Sequence, residues 1–279
     1  MNMKLAITVA FLCMATLLST GSSYVAAGDL DRFSGQKGTI RIAGGTAHIP
    51  VMKEAAKRIM SMNPDIKITV AGGGSGVGVK QVGEGLVDIG NTGRKATDDE
   101  IRRYGLNMFE FAIDGIAVVV NPKNPVAKLK RQQTADIFSG KVTNWKELGW
   151  KDRGINVYTR DASSGTRKVF WKKALNKGKI TNTANFVKSN GAMKSAISVD
   201  PYGIGYISVG HLDPTVRSVA IDGVPPTLEN VRKGNYKIAR GLYMNTGGVP
   251  AKLTKLFIEY ILSKEGQGIV IEKGFIAVK

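Results

Sequence analysis

The chain has 279 residues, 43% apolar and 7% aromatic, enough to bury one large or two ordinary cores and too apolar for a disordered polymer. Its 40 Lys and Arg against 22 Asp and Glu give a formal charge of +18, a field that draws anions of any size. The only cysteine, Cys13, falls in the first segment, which excludes disulfides, thiol chemistry and cysteine-ligated metals from the remainder.

Residues 1–27 read as an export signal. Lys4 supplies the positive start, LAITVAFLCMATLL a short apolar run, and VAA at 25–27 a small-x-small cleavage site. The run is short for a membrane span. Cleavage is expected near Ala27. Leu12 before Cys13 is too large for lipid attachment, so the mature protein is expected in the periplasm without a lipid anchor.

Strands and helices then alternate. TIRIAGG (39–45) is a strand running into glycines. HIPVMKEAAKRIMSMNP follows, with Pro50 in a first helical turn and Val51, Ala55, Ile59 and Met62 at helical spacing until Asn63-Pro64. KITVAGGG (67–74) is a second strand ending in glycines, VGVKQVGEGLVD a short helix, IGN (89–91) a third strand and NTGR a turn. DGIAVVVNPKNP (114–125) is a continuous apolar strand closed by prolines. QQTADIFSG and NWKELG (144–149) read as helices, INVYTR (155–160) as a strand, and SSGTRKVFWKKALNK as the helix it feeds. FVKSNGAMKSAISVDP reads as a loop and helix, YGIGYIS (202–208) and VRSVAIDG (216–223) as strands, TLENVRKG as a short helix and KIARGLYMNT (237–246) as a strand. PAKLTKLFIEYILSKEGQGIVIEKG closes the chain as an amphipathic helix and tail. This rhythm predicts α/β architecture with parallel sheet and crossover helices, in which ligands sit beyond the carboxyl ends of the strands.

Three of those ends share one chemistry. AGGTAHIP, GGGSGVGV and DASSGTR each set glycine beside Ser or Thr where a strand turns into a helix. The first N–H groups of a helix have no internal partner, and its dipole places partial positive charge there. Glycine lets backbone approach closely, and hydroxyls add orientable donors. Converging, such ends would hold a tetrahedral oxyanion; singly, each is also what an ordinary helix cap looks like. None matches a nucleotide-binding glycine motif. The two histidines, His48 and His211, lie in no triad or metal spacing, and SSG at 163–165 is not a nucleophile elbow. No cofactor or metal is expected. Lys and Arg are scattered, with no basic run interleaved with aromatics, so nucleic acid is not an expected partner.

GGGSGVGVKQVGEGLVDIG (72–90), AIDGIAVVVNPKNPV (112–126), DIFSGKVTNWKELG (136–149), RDASSGTR (160–167), YGIGYIS (202–208) and SKEGQGIV (263–270) occur in one order and spacing. Through them the sequence resembles the phosphate-binding proteins of bacterial ABC importers, in their shorter-chain branch, along nearly all of the chain after the signal. The resemblance implies a two-lobed periplasmic-binding-protein fold of type II, each lobe a mostly parallel sheet flanked by helices, with the ligand cleft between. Residues 28–113 with 239–279 would form lobe I and 114–238 lobe II, hinging near 112–116 and 236–242. It also implies capture of inorganic phosphate, delivery to a membrane permease, no catalysis and a monomer.

The ligand contacts implied are Thr46 and the backbone of Ala47, Ser75 and the N–H of Gly76, and Arg160, Ser164, Gly165 and Thr166 of the R-x-x-x-S-G-T pattern. Arg94, in the position of the family's Ser-Arg turn, joins them. Asp114 is the implied acidic member, suited to accept the proton that phosphate keeps and sulfate lacks. Two positions depart from the family: Gly45 stands where serine is usual, and Gly93 precedes Arg94 in place of serine. With two hydroxyls missing, another tetrahedral oxyanion (sulfate, molybdate or arsenate) stays open as the ligand, as does a secreted phosphate-ester hydrolase as the class.

Overall fold

Alternation in TIRIA puts Ile40 and Ile42 on the buried face of strand β1 (Gly38–Gly44), and the glycines after it release the chain into helix α1 (Ile49–Met62). Pro50 sits in the first turn of α1, and Val51, Ala55 and Ile59 face the core. The computed structural model describes residues 28–278; the expected signal segment and its cleavage site lie outside the described residues. Strand β2 (Ile66–Gly73), helix α2 (Ser75–Gly83) and strand β3 (Ile89–Thr92) repeat the unit. A Thr-x-x-Glu capping box, Thr97 with Glu100, starts α3 (Asp98–Tyr104).

Next come β4 (Leu106–Val120), β5 (Lys128–Leu129), α4 (Arg131–Ser139), β6 (Asn156–Thr159), α5 (Gly165–Lys173), β7 (Asn185–Phe186) and α6 (Asn190–Val199). They are followed by β8 (Gly203–Ser208), β9 (Arg217–Ile221), α7 (Leu228–Arg232), β10 (Ala239–Gly247), α8 (Lys252–Leu262), α9 (Lys264–Glu272) and β11 (Ile276–Ala277). NWKELG forms a 3-10 turn (Trp145–Leu148) rather than a helix, anchored by the buried Trp145. The tail is two helices, because Ser263 interrupts the first and caps the second by accepting the Gly266 N–H at 3.3 Å.

The strands form one curled sheet in the order β2-β1-β3-β10-β4-β8-β6-β7. Its two ends are parallel: β1 with β2 and β3, and β6 with β8 and β7. Its middle is antiparallel, because β10 runs against both β3 and β4, and β4 against β8. The expectation of mostly parallel sheet therefore holds at the ends and fails at the centre. At that centre lies β4, which starts at Leu106 rather than Asp114 and is flanked by β10 and β8, both running against it. At roughly 3.3 Å per residue, a strand of 15 residues spans both halves of the molecule.

Two apolar cores flank this crossing. One gathers Phe33, Val51, Ile59, Phe111, Leu242 and Phe257. The other gathers Val118, Phe138, Trp145, Phe170, Tyr206 and Ile238. Along β4 the change of core falls between Ala112 and Ile116, and along β10 between Ala239 and Leu242. At that point Asp114 pairs in register with Arg240. Among the described residues no helix is long and apolar enough to cross a membrane.

Candidate anion-binding site

The three glycine-hydroxyl loops meet. Gly74, at φ 93°, donates its N–H to the Gly44 carbonyl at 2.9 Å, which ties the start of α2 to the end of β1. A β-carbon on Gly44 would collide with the Asn91 carbonyl oxygen, so this approach requires glycine. Across the cleft, Ser164 caps α5 by accepting the Arg167 N–H at 3.1 Å. A β-carbon on Gly165 would collide with Ser75 Oγ, so α2 and α5 face each other tip to tip. They enclose a small cavity of about 180 Å³, lined by the Gly45–His48 turn, Gly74, Ser75, Gly93, Arg160, the Ser164–Thr166 turn and Arg240.

Hydrogen-bond accounting shows what this lining offers. Thr46 Oγ1 accepts from the backbone N–H and Nδ2 of Asn190, at 3.2 and 3.0 Å. Ser75 Oγ accepts the Gly93 N–H at 2.9 Å. Ser164 Oγ accepts from Arg167. A hydroxyl has one donor and two acceptor sites. Each of these hydroxyls therefore keeps its proton to donate, and each is buried.

Arg160 supplies the charge. It follows β6 directly, and its N–H donates at 3.2 Å to the Tyr206 hydroxyl, which also bonds Thr159 Oγ1 at 2.9 Å. The Tyr206 ring stacks on Phe170 of α5 at 4.1 Å, so strand, helix and arginine are set by one packed unit. The side chain is 1% exposed. Nη2 donates to the Lys188 carbonyl at 3.0 Å, while Nε and Nη1 have no partner among the described residues. Burial pulls the guanidinium down from its usual value, yet arginine stays a cation.

Arg240 is the second guanidinium, and it is neutralised. Nε and Nη2 clasp Asp114 Oδ2 at 2.9 and 2.8 Å, and Nη1 donates to the Gly93 carbonyl at 3.3 Å. Ser208 donates to Asp114 Oδ1 at 2.8 Å, and Asn190 Oδ1 accepts the Ser208 N–H at 3.1 Å. Burial pushes the Asp114 carboxyl up, against the pull of Arg240 and Ser208. The uncompensated charge of the cavity is therefore that of Arg160. His48 completes the wall as a neutral group. Its Nε2 lies 3.1 Å from the Thr92 carbonyl, so that nitrogen carries the proton, and burial followed by the Arg240 charge brings its pKa to about 3.

Seven of the ten residues singled out from sequence line this cavity: Thr46, Ala47, Ser75, Arg160, Ser164, Gly165 and Thr166. Three do not. The Gly76 N–H is used in closing the cleft, donating to the Ser163 carbonyl at 3.0 Å, beside a Ser163 Oγ bond to the Gly73 carbonyl at 2.9 Å. Arg94 turns to Glu100, at 2.6 and 2.7 Å, because the α3 capping box places that carboxylate within reach. Asp114 lies behind Arg240. Arg240 itself escaped the sequence reading, while His48, Gly45, Gly74 and Gly93 stand in the loops and turn it pointed to without being counted among the contacts. A lone arginine in KIARGLY carries no local signal; only the register of β4 with β10 sets it opposite Asp114.

Two α/β halves closing on a buried guanidinium, three helix starts and a ring of hydroxyl donors define a cleft-type binding protein for a small oxyanion. The profile of the PBP superfamily domain matches residues 33–265. The chain is 38% identical over 244 residues to the phosphate-binding protein PstS of Bacillus subtilis, covering 86% of this chain and 81% of that one. It is similar to the crystal structure of a Clostridium perfringens protein with bound phosphate, at 36% identity and TM-score 0.82, covering 87% of this chain and 100% of that one. An ABC-type phosphate transport receptor from Vibrio cholerae follows, at 33% identity and TM-score 0.69, covering 85% and 99%. The chain belongs to the PstS family of phosphate-binding proteins, within the PBP superfamily.

Proposed function

We propose that this protein captures inorganic phosphate in the Arg160 cavity outside the cytoplasm and delivers it to the membrane permease of an ABC importer, as a monomer and without catalysing a reaction. The observation that carries this reading is the Arg160 guanidinium, buried, with two N–H-bearing nitrogens unpartnered among the described residues. A buried charge without a counter-ion costs several kcal/mol, and a small anion in the cavity removes that cost. Charged hydrogen bonds contribute roughly 1.5–3 kcal/mol each, so two from Arg160 with those from Thr46, Ser75 and Ser164 offset dehydration of the ion.

Residues 28–113 with 239–279 act as one lobe and 114–238 as the other. They hinge where β4 and β10 change core, near 112–116 and 236–242. Asp114 acts on the ligand through Arg240, because it clasps that guanidinium from behind and is not itself part of the cavity lining. The test is calorimetric titration of the mature chain with phosphate, sulfate, arsenate and molybdate. Phosphate is expected to bind most tightly, as the phosphate-binding relatives suggest, with arsenate, its nearest analogue in shape and charge, next. Tight binding of sulfate or molybdate with none of phosphate would overturn the ligand and leave the class intact. Release of phosphate from a chromogenic ester would overturn the non-enzymatic reading.

A further inference from the structure

The basic residues that look scattered in sequence are gathered by the fold. Between Asp161 and Asp200 there is no acidic residue, and the stretch carries eight Lys and Arg. It contains α5, and three surface clefts surround that helix. The largest is an open groove, far wider than the anion cavity, and its cations are Arg131, Lys141, Lys172, Lys173, Lys179 and Lys237. The second shares Lys172 and Lys173 and adds Lys95 and Lys168; the third shares Lys168 and Lys179 and adds Lys177. The second cleft also shares Arg240 with the anion cavity. The clefts thus adjoin one another through shared lysines, and one of them adjoins the cavity wall at Arg240.

A merely solvated face pairs or disperses its charge. Here pairing is thin. Arg131 meets Asp222 and Lys141 meets Asp136, both at 3.7 Å. Lys168, Lys172, Lys177, Lys179 and Lys237 meet no carboxylate within 4 Å among the described residues. Lys173 is pulled down by burial and by the charge of Lys172, a sign of crowded cations. The shape favours a chain over a plane, because the clefts wrap a helix instead of presenting one flat face. The aromatics that line the clefts disfavour nucleic acid, which binds single-stranded on exposed stacking rings, and the exposed Phe186 lines none of them. Trp171 is half-buried, with Nε1 donating to the Gly178 carbonyl at 2.8 Å, and Tyr243 is buried. A linear chain of phosphate groups needs only cations in a row.

We propose that the connected clefts around α5 form a second binding site, for linear inorganic polyphosphate. The site goes beyond monophosphate capture and does not depend on it, since no lysine lines the anion cavity. The experiment is titration of the mature protein with short-chain polyphosphate across a salt series. Binding is expected at 0.15 M salt, with log K falling against log salt at a slope near −0.7 per phosphate neutralised, about −3 for four contacts. The triple variant K172Q/K179Q/K237Q is expected to lose at least about tenfold in affinity and about 2 in slope. The same three positions changed to arginine keep binding, which separates charge from misfolding. A control triple on the other half, K53Q/K57Q/K67Q, leaves it unchanged, and saturating monophosphate does not compete. No binding at 0.15 M salt, equal loss in the control triple, or tighter binding to single-stranded DNA or anionic vesicles would each overturn the proposal. Failure of monophosphate to bind would overturn the cavity reading alone.

Discussion

Helix α5 presents two anion surfaces built on opposite principles. Its N-terminus closes the cavity with neutral donors and a helix dipole, beside the buried Arg160 guanidinium, which has no counter-ion among the described residues. Its flank and C-terminal end present a crowd of exposed lysines to open clefts. In the cavity the donors are dehydrated and fixed before the ligand arrives, so few are needed and each counts for much. On the flank water and salt screen every charge beyond about 8 Å at physiological ionic strength, so many are needed and each counts for little. Selectivity therefore belongs to the first surface, and attraction belongs to the second.

The sharpest way to break this contrast is Arg160→Gln. Two charged hydrogen bonds at roughly 1.5–3 kcal/mol each put the expected loss of phosphate affinity at about 10²–10⁴-fold. The ligand-free protein is expected to be no less stable, since an unpaired buried cation is removed. Calorimetry, with thermal unfolding with and without phosphate, reads both. Affinity within tenfold of wild type would show that the cavity is not where the anion sits.

Asp114→Asn tests the neutral half of the wall. It leaves Arg240 buried without its carboxylate, and breaking a buried pair costs about 3–5 kcal/mol. Urea unfolding should show a loss of that order, larger than any single lysine change on the flank. A loss below about 1 kcal/mol would mean that Arg240 finds water, and that the crossing of β4 and β10 is looser than its 8% exposure indicates.

Much of the cavity was legible in sequence because it is built from local signals. Glycine-hydroxyl turns at strand ends set helix starts, and helix starts set donors. What stayed hidden is long-range. Asp114 and Arg240 are 126 positions apart, and their pairing depends on the register of two antiparallel strands that the βα rhythm did not announce. Arg94 illustrates the converse. Its position in a family motif suggested a ligand contact, yet the Thr97–Glu100 capping box, readable as T-x-x-E, already supplied its partner. The basic flank was only partly legible: the acid-free stretch between Asp161 and Asp200 is plain in sequence, but its cations meet those of α4 and of the approach to β10 only after folding.

Two histidines, His48 fully buried and His211 half-buried, extend the contrast to pH. Burial brings His48 to about 3 and His211 to about 4, below the ordinary value near 6.5. The unfolded chain therefore binds more protons than the folded one as pH falls through 6.5, and stability falls with it. Between pH 7 and pH 5 each should subtract about 2 kcal/mol, read as a falling urea midpoint. His211→Gln should remove its share of that slope. A midpoint flat over this range would place both rings within reach of water.

The smallest expected effect separates attraction from holding. Phosphate association followed by stopped-flow Trp fluorescence should slow a few-fold in K172Q/K179Q/K237Q at low salt, because these lysines steer the ion without touching it. The difference should vanish near 1 M salt, where screening acts beyond about 3 Å, and dissociation should not change. Dissociation is governed by the cavity, and the nearest link from the flank is Arg240, held by Asp114. A faster dissociation in this variant would mean that flank charge reaches the ligand through that guanidinium, and the two surfaces of α5 would then have to be treated as one.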